Sequence, residues 1–218
     1  MTVILASGSP RRKELLSRLC VPFRVVPSEA DEGPPAAGEE PERYALRLAK
    51  AKAADVALRC PGEVILAADT VVALANEILG KPRNHANAVE MLIFLQGKVH
   101  LVATGVAVRC GGNEHAGVEV SRVRMRAYSL EEAREYVATG EPMDKAGAYA
   151  IQGAGGALVD EFAGCYTAVV GLPLCLARTL LERCKVEIRT DRDICVHAVR
   201  HDLQPADGSD PGPVDTWG

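Results

Sequence analysis

The first dozen residues constrain the fold most. An apolar run over residues 3–6 stops at Ser7-Gly8-Ser9, and Pro10 follows at once. The run reads as a short buried strand. Ser9 reads as an N-cap, and Pro10 as the first position of a helix whose one face carries Leu15, Leu16 and Leu19. A strand handed to a helix across a small-residue turn leaves backbone N–H groups and the positive end of the helix dipole in that turn, an arrangement that holds anions. The competing reading is an ordinary capped helix with solvated Arg11 and Arg12, and the segment alone does not separate the two.

Strand and helix patterns alternate further along. Residues 23–26 read as a second short strand and residues 27–41 as a polar loop. A helix is expected over residues 41–58, with Ala45, Leu48, Ala49, Ala53 and Val56 as its apolar stripe. Residues 64–74 read as a strand interrupted at Asp69 and Thr70. Gly80-Lys81-Pro82 marks a turn, residues 85–95 a helix ended by Gly97, and residues 99–109 and 117–125 two strands around a turn at 111–113. Ser129 and Glu132 have capping-box spacing at the head of a helix that runs to Gly140. A glycine-rich segment over 147–156, a strand near Leu158 and a helix over 173–184 complete the regular part. Strands interleaved with helices argue for an α/β fold, and the adjacent hairpin strands make its sheet mixed. One domain over residues 1–186 is expected. An extension over 187–218 follows, and its end, residues 205–218, has the composition of a disordered tail.

Composition narrows the functions. With 25 Lys and Arg against 29 Asp and Glu, the chain is not built around a nucleic-acid groove or an anionic membrane, although a local basic cluster can hold a small polyanion. Aromatic residues at 4% argue against stacking platforms for single-stranded nucleic acid. No apolar stretch approaches the roughly 18 residues a membrane helix needs. The N-terminus has no basic region ahead of its apolar run and does not read as a secretory signal. The seven cysteines are scattered, without a CxxC pair or a Cys/His knuckle. They read as reduced thiols of a cytoplasmic protein with no structural zinc site. No GxxxxGK[ST] loop occurs, and the histidines lack HxxxH spacing.

Several polar residues stand where polarity is unexpected. Lys52 falls inside the apolar stripe of its helix, so it either snorkels to the edge, the commoner outcome, or points into a polar pocket. Asp69 interrupts a β-branched run and is expensive to bury without a cation or a hydrogen-bond donor. Lys81 sits between Gly80 and Pro82, and Asp31 and Glu32 lie in a polar loop. Glu141, Asp144, Lys145 and Gln152 surround glycines that suit close approach to a ligand, with a plain loop as the alternative. An anion cradle, two constrained lysines and carboxylates able to hold a divalent cation together fit a polyphosphate substrate.

The motifs Ser7-Gly8-Ser9-Pro10-Arg11-Arg12-x-Glu14-Leu15-Leu16, Leu48-Ala49-x-x-Lys52-Ala53, Ala68-Asp69-Thr70-Val71-Val72 and Gly80-Lys81-Pro82 are followed by Thr104-Gly105-Val106, Asp144-Lys145-Ala146-Gly147-x-Tyr149-x-Ile151-Gln152-Gly153 and Val170-Gly171-Leu172-Pro173-Leu174. In this order, over about residues 2–184, they closely resemble the Maf family of nucleoside triphosphate pyrophosphatases, once described as septum-formation inhibitors. The resemblance implies a fold similar to inosine triphosphate pyrophosphatase: an elongated mixed sheet flanked by helices, with two lobes around a central cleft. It implies cleavage of the α–β phosphoanhydride to a nucleoside monophosphate and pyrophosphate, with a divalent cation, Mg²⁺ or Mn²⁺. By motif, Asp69 matches the carboxylate that accepts the water proton, while Ser7, Arg12, Lys52 and Lys81 match phosphate-contacting positions. Glu32 matches an acidic position that helps Asp69 hold the cation. Arg11, Thr70 and Gln152 match the dTTP/UTP branch. Ala168 stands where many members have Asn.

The resemblance also implies a cytoplasmic enzyme and a homodimer, with a nucleoside triphosphate as its partner and neither nucleic acid nor membrane. Two readings compete: the 7-methyl-GTP specificity within the same family, and a nucleotide-sensing regulator of cell division. Retention of Asp69 and of every other polar position an enzyme needs favours catalysis.

Overall fold

A computed structural model describes residues 2–75, 77–190 and 195–198. The tail expected at 205–218 lies outside the described residues. Among the described residues, eight strands, numbered in chain order, form one sheet in the order β2-β1-β3-β5-β6-β7-β8, with β4 on the edge of β3. Val3–Leu5 (β1), Phe23–Val25 (β2) and Val64–Leu74 (β3) are mutually parallel along that path. Glu77–Leu79 (β4) and Val99–Cys110 (β5) run antiparallel to β3. Asn113–Met125 (β6), Val159–Cys165 (β7) and His197–Ala198 (β8) continue the antiparallel half. The sheet is therefore mixed, as the interleaved pattern implied.

Helices cover both faces because side chains alternate along the long strands. On one face Ala49, Ala53 and Val56 of Pro41–Arg59 (α2) pack on Ile65, Ala67 and Ala107. The other face carries two separate apolar cores. Ala68 and Val106 belong to one, with Leu15 and Leu16 of Pro10–Ser17 (α1) and Leu174, Leu180 and Leu181 of Leu174–Arg183 (α6). Val72 and Val102 belong to the other, with Leu92 and Leu95 of His85–Leu95 (α3) and Tyr136 and Val137 of Leu130–Ala138 (α4). Thr70 and Thr104 are cross-strand partners between the two cores. The polar pair divides the sheet into two lobes, and the cleft opens there.

Three details differ from the reading of the sequence. β3 is not interrupted: residues 65–73 pair with 109–101 without a bulge, through Asp69 and Thr70. The pairing is possible because Gly105 stands opposite Asp69 and admits α2; a Cβ there would lie 2.4 Å from the Ala45 carbonyl oxygen. β6 begins at Asn113, and β4, β8 and the short helix Tyr166–Val170 (α5) are too brief to leave a periodic signature. The thiols are not all free, since Cys110 at the end of β5 is joined to Cys184 at the C-cap of α6. Packing of α6 across β5 brings together two cysteines 74 positions apart, which spacing alone does not reveal. Among the described residues, no helix is long and apolar enough to cross a membrane.

Candidate active site

β3 is paired with β5 along one side, but its other side is shared. β1 pairs there through Leu66, β4 begins there at Val72, and residues 67–71 are left with an open edge. A cleft of about 550 Å³ occupies that gap. Every site residue expected from the sequence lines it: Ser7, Arg11, Arg12, Glu32, Lys52, Asp69, Thr70, Lys81 and Gln152. Asp69 and Thr70 point to opposite faces of a regular strand, yet both reach the cleft around the unpaired edge. No irregularity after Asp69 is required.

On the α2 face, Lys52 does not snorkel to bulk water. Its ammonium donates to the Asp69 carboxylate and also pairs with Glu32 Oε1 at 2.7 Å. Lys52 and Asp69 are both nearly covered, and Glu32 closes the triad from the loop above, about half exposed. Burial works against an ionised Glu32, but Lys52, with Lys81 and Arg12 behind it, more than offsets this and holds the carboxyl below its usual value. Tyr44, Leu48 and Lys52 line the cleft from one side of α2, at i, i+4 and i+8. Tyr44, whose hydroxyl donates to the Gly33 carbonyl, was not anticipated. Helical spacing from Lys52 was the signal that could have found it.

On the opposite face the strand-turn-helix at the N-terminus supplies Arg12. Its Nε donates to the Gly171 carbonyl (2.8 Å), Nη1 to Ser7 Oγ (3.3 Å) and Nη2 to Thr70 Oγ1 (3.2 Å). The guanidinium is thereby fixed in the cleft wall. Burial lowers its pKa while Asp69 and Glu32 oppose that, and an arginine stays charged in either case. Ser7 Oγ accepts from Ser9 N–H and from Arg12, so its own proton is left for a further acceptor. Thr70 is occupied in holding Arg12 and Thr104 rather than turned toward the far lobe.

The far lobe contributes Lys81 and Gln152, with Arg11 paired to Asp144 at 3.9 Å across the cleft mouth. Lys145 donates to the Asp144 carboxylate and to the Glu141 carbonyl, tying the lip together. The glycines of this segment serve packing more than ligand approach. A Cβ on Gly155 would fall 2.5 Å from both the Ala150 carbonyl oxygen and the Tyr136 hydroxyl. Gly147 has φ +69 and abuts Val72. Ala168, at the position noted for Asn, contributes its backbone: its carbonyl accepts from Thr104 Oγ1 at 2.8 Å.

Cationic groups on both lobes and a carboxylate pair on one wall suit a phosphate chain bound with a hard cation. The family model described as Maf-like protein matches residues 2–184. The dTTP/UTP pyrophosphatase of Myxococcus xanthus is 52% identical over 181 residues, 83% of this chain and 91% of that one. The dTTP/UTP pyrophosphatase of Geotalea uraniireducens is 49% identical over 185 residues, 83% of this chain and 94% of that one. That of Syntrophotalea carbinolica is 44% identical, with 89% and 91% covered. Among solved structures, the Staphylococcus aureus Ham1 protein is 13% identical with a TM-score of 0.40, covering 57% of this chain and 72% of that one.

Proposed function

The chain belongs to the Maf-like family, and from that premise we propose that it is a dTTP/UTP pyrophosphatase, releasing the nucleoside monophosphate and pyrophosphate. One observation carries the reading. Lys52, Asp69 and Glu32 on one face of β3 and Arg12 and Ser7 on the other meet around the strand's open edge, in one cleft.

Arg12, Lys81 and Ser7 bind the phosphate chain, and Arg12 arrives already oriented by three hydrogen bonds, so little ordering remains when substrate enters. Asp69 accepts the proton of the attacking water, and the Lys52 ammonium paired with it holds that carboxylate in place. Glu32 and Asp69 converge on the Lys52 ammonium, so the spot already accommodates positive charge, and two hard carboxylates suit Mg²⁺ or Mn²⁺. When bound, the cation supplies charge neutralisation at the phosphates and a more acidic water. Gln152 reads the base through a donor and an acceptor, matching the N3–H and O4 edge of uracil or thymine. Arg11 closes over the substrate from the Asp144 side. From family membership we further infer a cytoplasmic homodimer, in which Cys110–Cys184 would stand against a reducing poise.

The test is pyrophosphate release from dTTP, UTP, CTP, dCTP and 7-methyl-GTP, with and without Mg²⁺ or Mn²⁺. dTTP and UTP are expected to turn over well. CTP and dCTP should turn over poorly, because the 4-amino group inverts the pattern Gln152 meets. Asp69→Asn should lose about 10²–10⁴-fold in kcat while still binding nucleotide. A preference for 7-methyl-GTP would overturn the substrate, and no pyrophosphate from any of the five would overturn the hydrolase.

A further inference from the structure

The active site leaves one group of reactive side chains unused. It lies where β7 ends, α6 begins and the C-terminal extension returns to the sheet. Cys165 closes β7, and β8 pairs beside it with His197 directly opposite Cys165. Tyr166 N–H donates to the Val196 carbonyl (3.0 Å) in the same ladder. Cys195 precedes His197 by two residues, at a bend that leads into β8. The Cys165 and Cys195 sulfurs and a ring nitrogen of His197 all lie within 4.8 Å of one another. Cys175, in the first turn of α6, lies beside Cys195 through its backbone N–H, and its own sulfur stands outside that 4.8 Å group.

We infer that Cys165, Cys195 and His197 form a structural zinc site that fastens the extension to the edge of the sheet, with Cys175 as the fourth ligand once its side chain turns toward the ion. The sulfurs of Cys165 and Cys195 are 3.8 Å apart, nearly twice the length of a disulfide bond, about 2.05 Å. Two thiolates at about 2.3 Å from a tetrahedral zinc are separated by about 3.8 Å, so the spacing is that of ligands sharing an ion. The supporting hydrogen bonds are those a thiolate needs. Cys175 N–H donates to Cys195 Sγ at 3.0 Å. Thr167 Oγ1 lies 3.2 Å from Cys165 Sγ and 3.3 Å from Cys195 Sγ. That hydroxyl already accepts from Leu174 N–H, so its proton is directed at sulfur. Ser121 Oγ both accepts from Cys165 N–H and donates to the Cys165 carbonyl, which locks the buried ligand's backbone.

Zinc bound by two elements of the main domain and by the extension ties residues 195–198 to the sheet, as metals do in small units with little core. The ligands come from three separate elements, which is why the sequence shows neither a CxxC pair nor a knuckle.

The test uses the full-length chain purified in a phosphine reductant. Zinc content by mass spectrometry is expected to be one ion per chain, and to be lost in Cys195→Ser and in His197→Ala but kept in Cys20→Ser. Metal-free protein titrated with Co²⁺ should develop thiolate-to-cobalt charge-transfer absorption that saturates at one equivalent; carboxylates of the active-site cleft cannot give that band. Circular dichroism of each variant shows that the fold persists. Wild-type protein that takes up no Zn²⁺ and gives no charge-transfer band overturns the site. So does full zinc retention by Cys195→Ser, or a Cys165–Cys195 disulfide in place of bound metal.

Discussion

Thr70 and Thr104 share a hydroxyl–hydroxyl hydrogen bond of 3.0 Å at the seam between the two cores, and its direction is determined by what lies on either side. Thr104 spends its proton on the Ala168 carbonyl at 2.8 Å, so it must accept from Thr70. Thr70 in turn accepts from Arg12 Nη2. A one-way relay thus runs from the Arg12 guanidinium through the sheet to the backbone of α5. The same α5 leads to Gly171, whose carbonyl receives Arg12 Nε.

Thr104→Val tests that relay. Valine keeps the shape and removes the hydroxyl, leaving the Ala168 carbonyl and the Thr70 proton without their partners in a fully buried place. Stability should fall by about 1–3 kcal/mol. KM for dTTP should rise several-fold with a smaller effect on kcat, because Arg12 loses its orientation but not its charge. Unchanged KM at reduced stability would confine Thr104 to a purely structural role.

Lys52→Met tests whether the apolar stripe or the ion pair decides what this position contributes. Read as a stripe residue, Lys52 should be replaceable by a straight apolar chain without loss. In the folded protein it neutralises Asp69, which is only 8% exposed, and Glu32. Methionine leaves that carboxylate short of its partner, and stability at neutral pH should drop by about 1–3 kcal/mol. Adding Asp69→Asn should restore part of the loss. Chemical denaturation of the two single variants and the double variant measures the coupling; additive losses would mean that the ion pair stabilises nothing.

Local signals in the sequence were legible where one segment determines its own structure. Ser9 with Pro10 starts α1, and Ser129 with Glu132 forms a reciprocal capping box on α4. Each needs only neighbours in the chain. The continuity of β3 was not legible, because Asp69 and Thr70 break an apolar run that only the pairing with Gly105 and Thr104 repairs. The site's residues were legible as motifs of a family, while their division between two faces of one strand depends on where β1 stops and β4 begins. β8 and the Cys110–Cys184 bond depend on contacts made by distant elements, and no window of sequence contains them.

The Cys110–Cys184 bond ties β5 to the end of α6 across 74 positions. Closing so long a stretch restricts the unfolded chain. Cys184→Ser, or reduction of the wild type, should therefore lower stability by about 2–4 kcal/mol. Denaturation midpoints with and without reductant measure it, and an alkylation count under native conditions shows whether the bond was present. Equal midpoints after verified reduction would show that packing of α6 alone holds this lobe.

The last expectation concerns acid. His100 is 2% exposed, with Nε2 2.7 Å from the Tyr149 hydroxyl and Nδ1 without a partner. Burial pushes its pKa from 6.5 down to about 3, because a charged ring would carry a second N–H with nothing to receive it. The folded state therefore refuses a proton that the unfolded chain takes up near pH 6.5. Stability from this group is full above that pH and declines as pH falls toward about 3, by about 2 kcal/mol at pH 5. His100→Gln cannot titrate there and retains a group able to bond Tyr149. Its stability at pH 5 relative to pH 7.5 should drop by correspondingly less than that of the wild type. Parallel pH dependences in the two proteins would show that His100 is protonated in the folded state as readily as in the unfolded one.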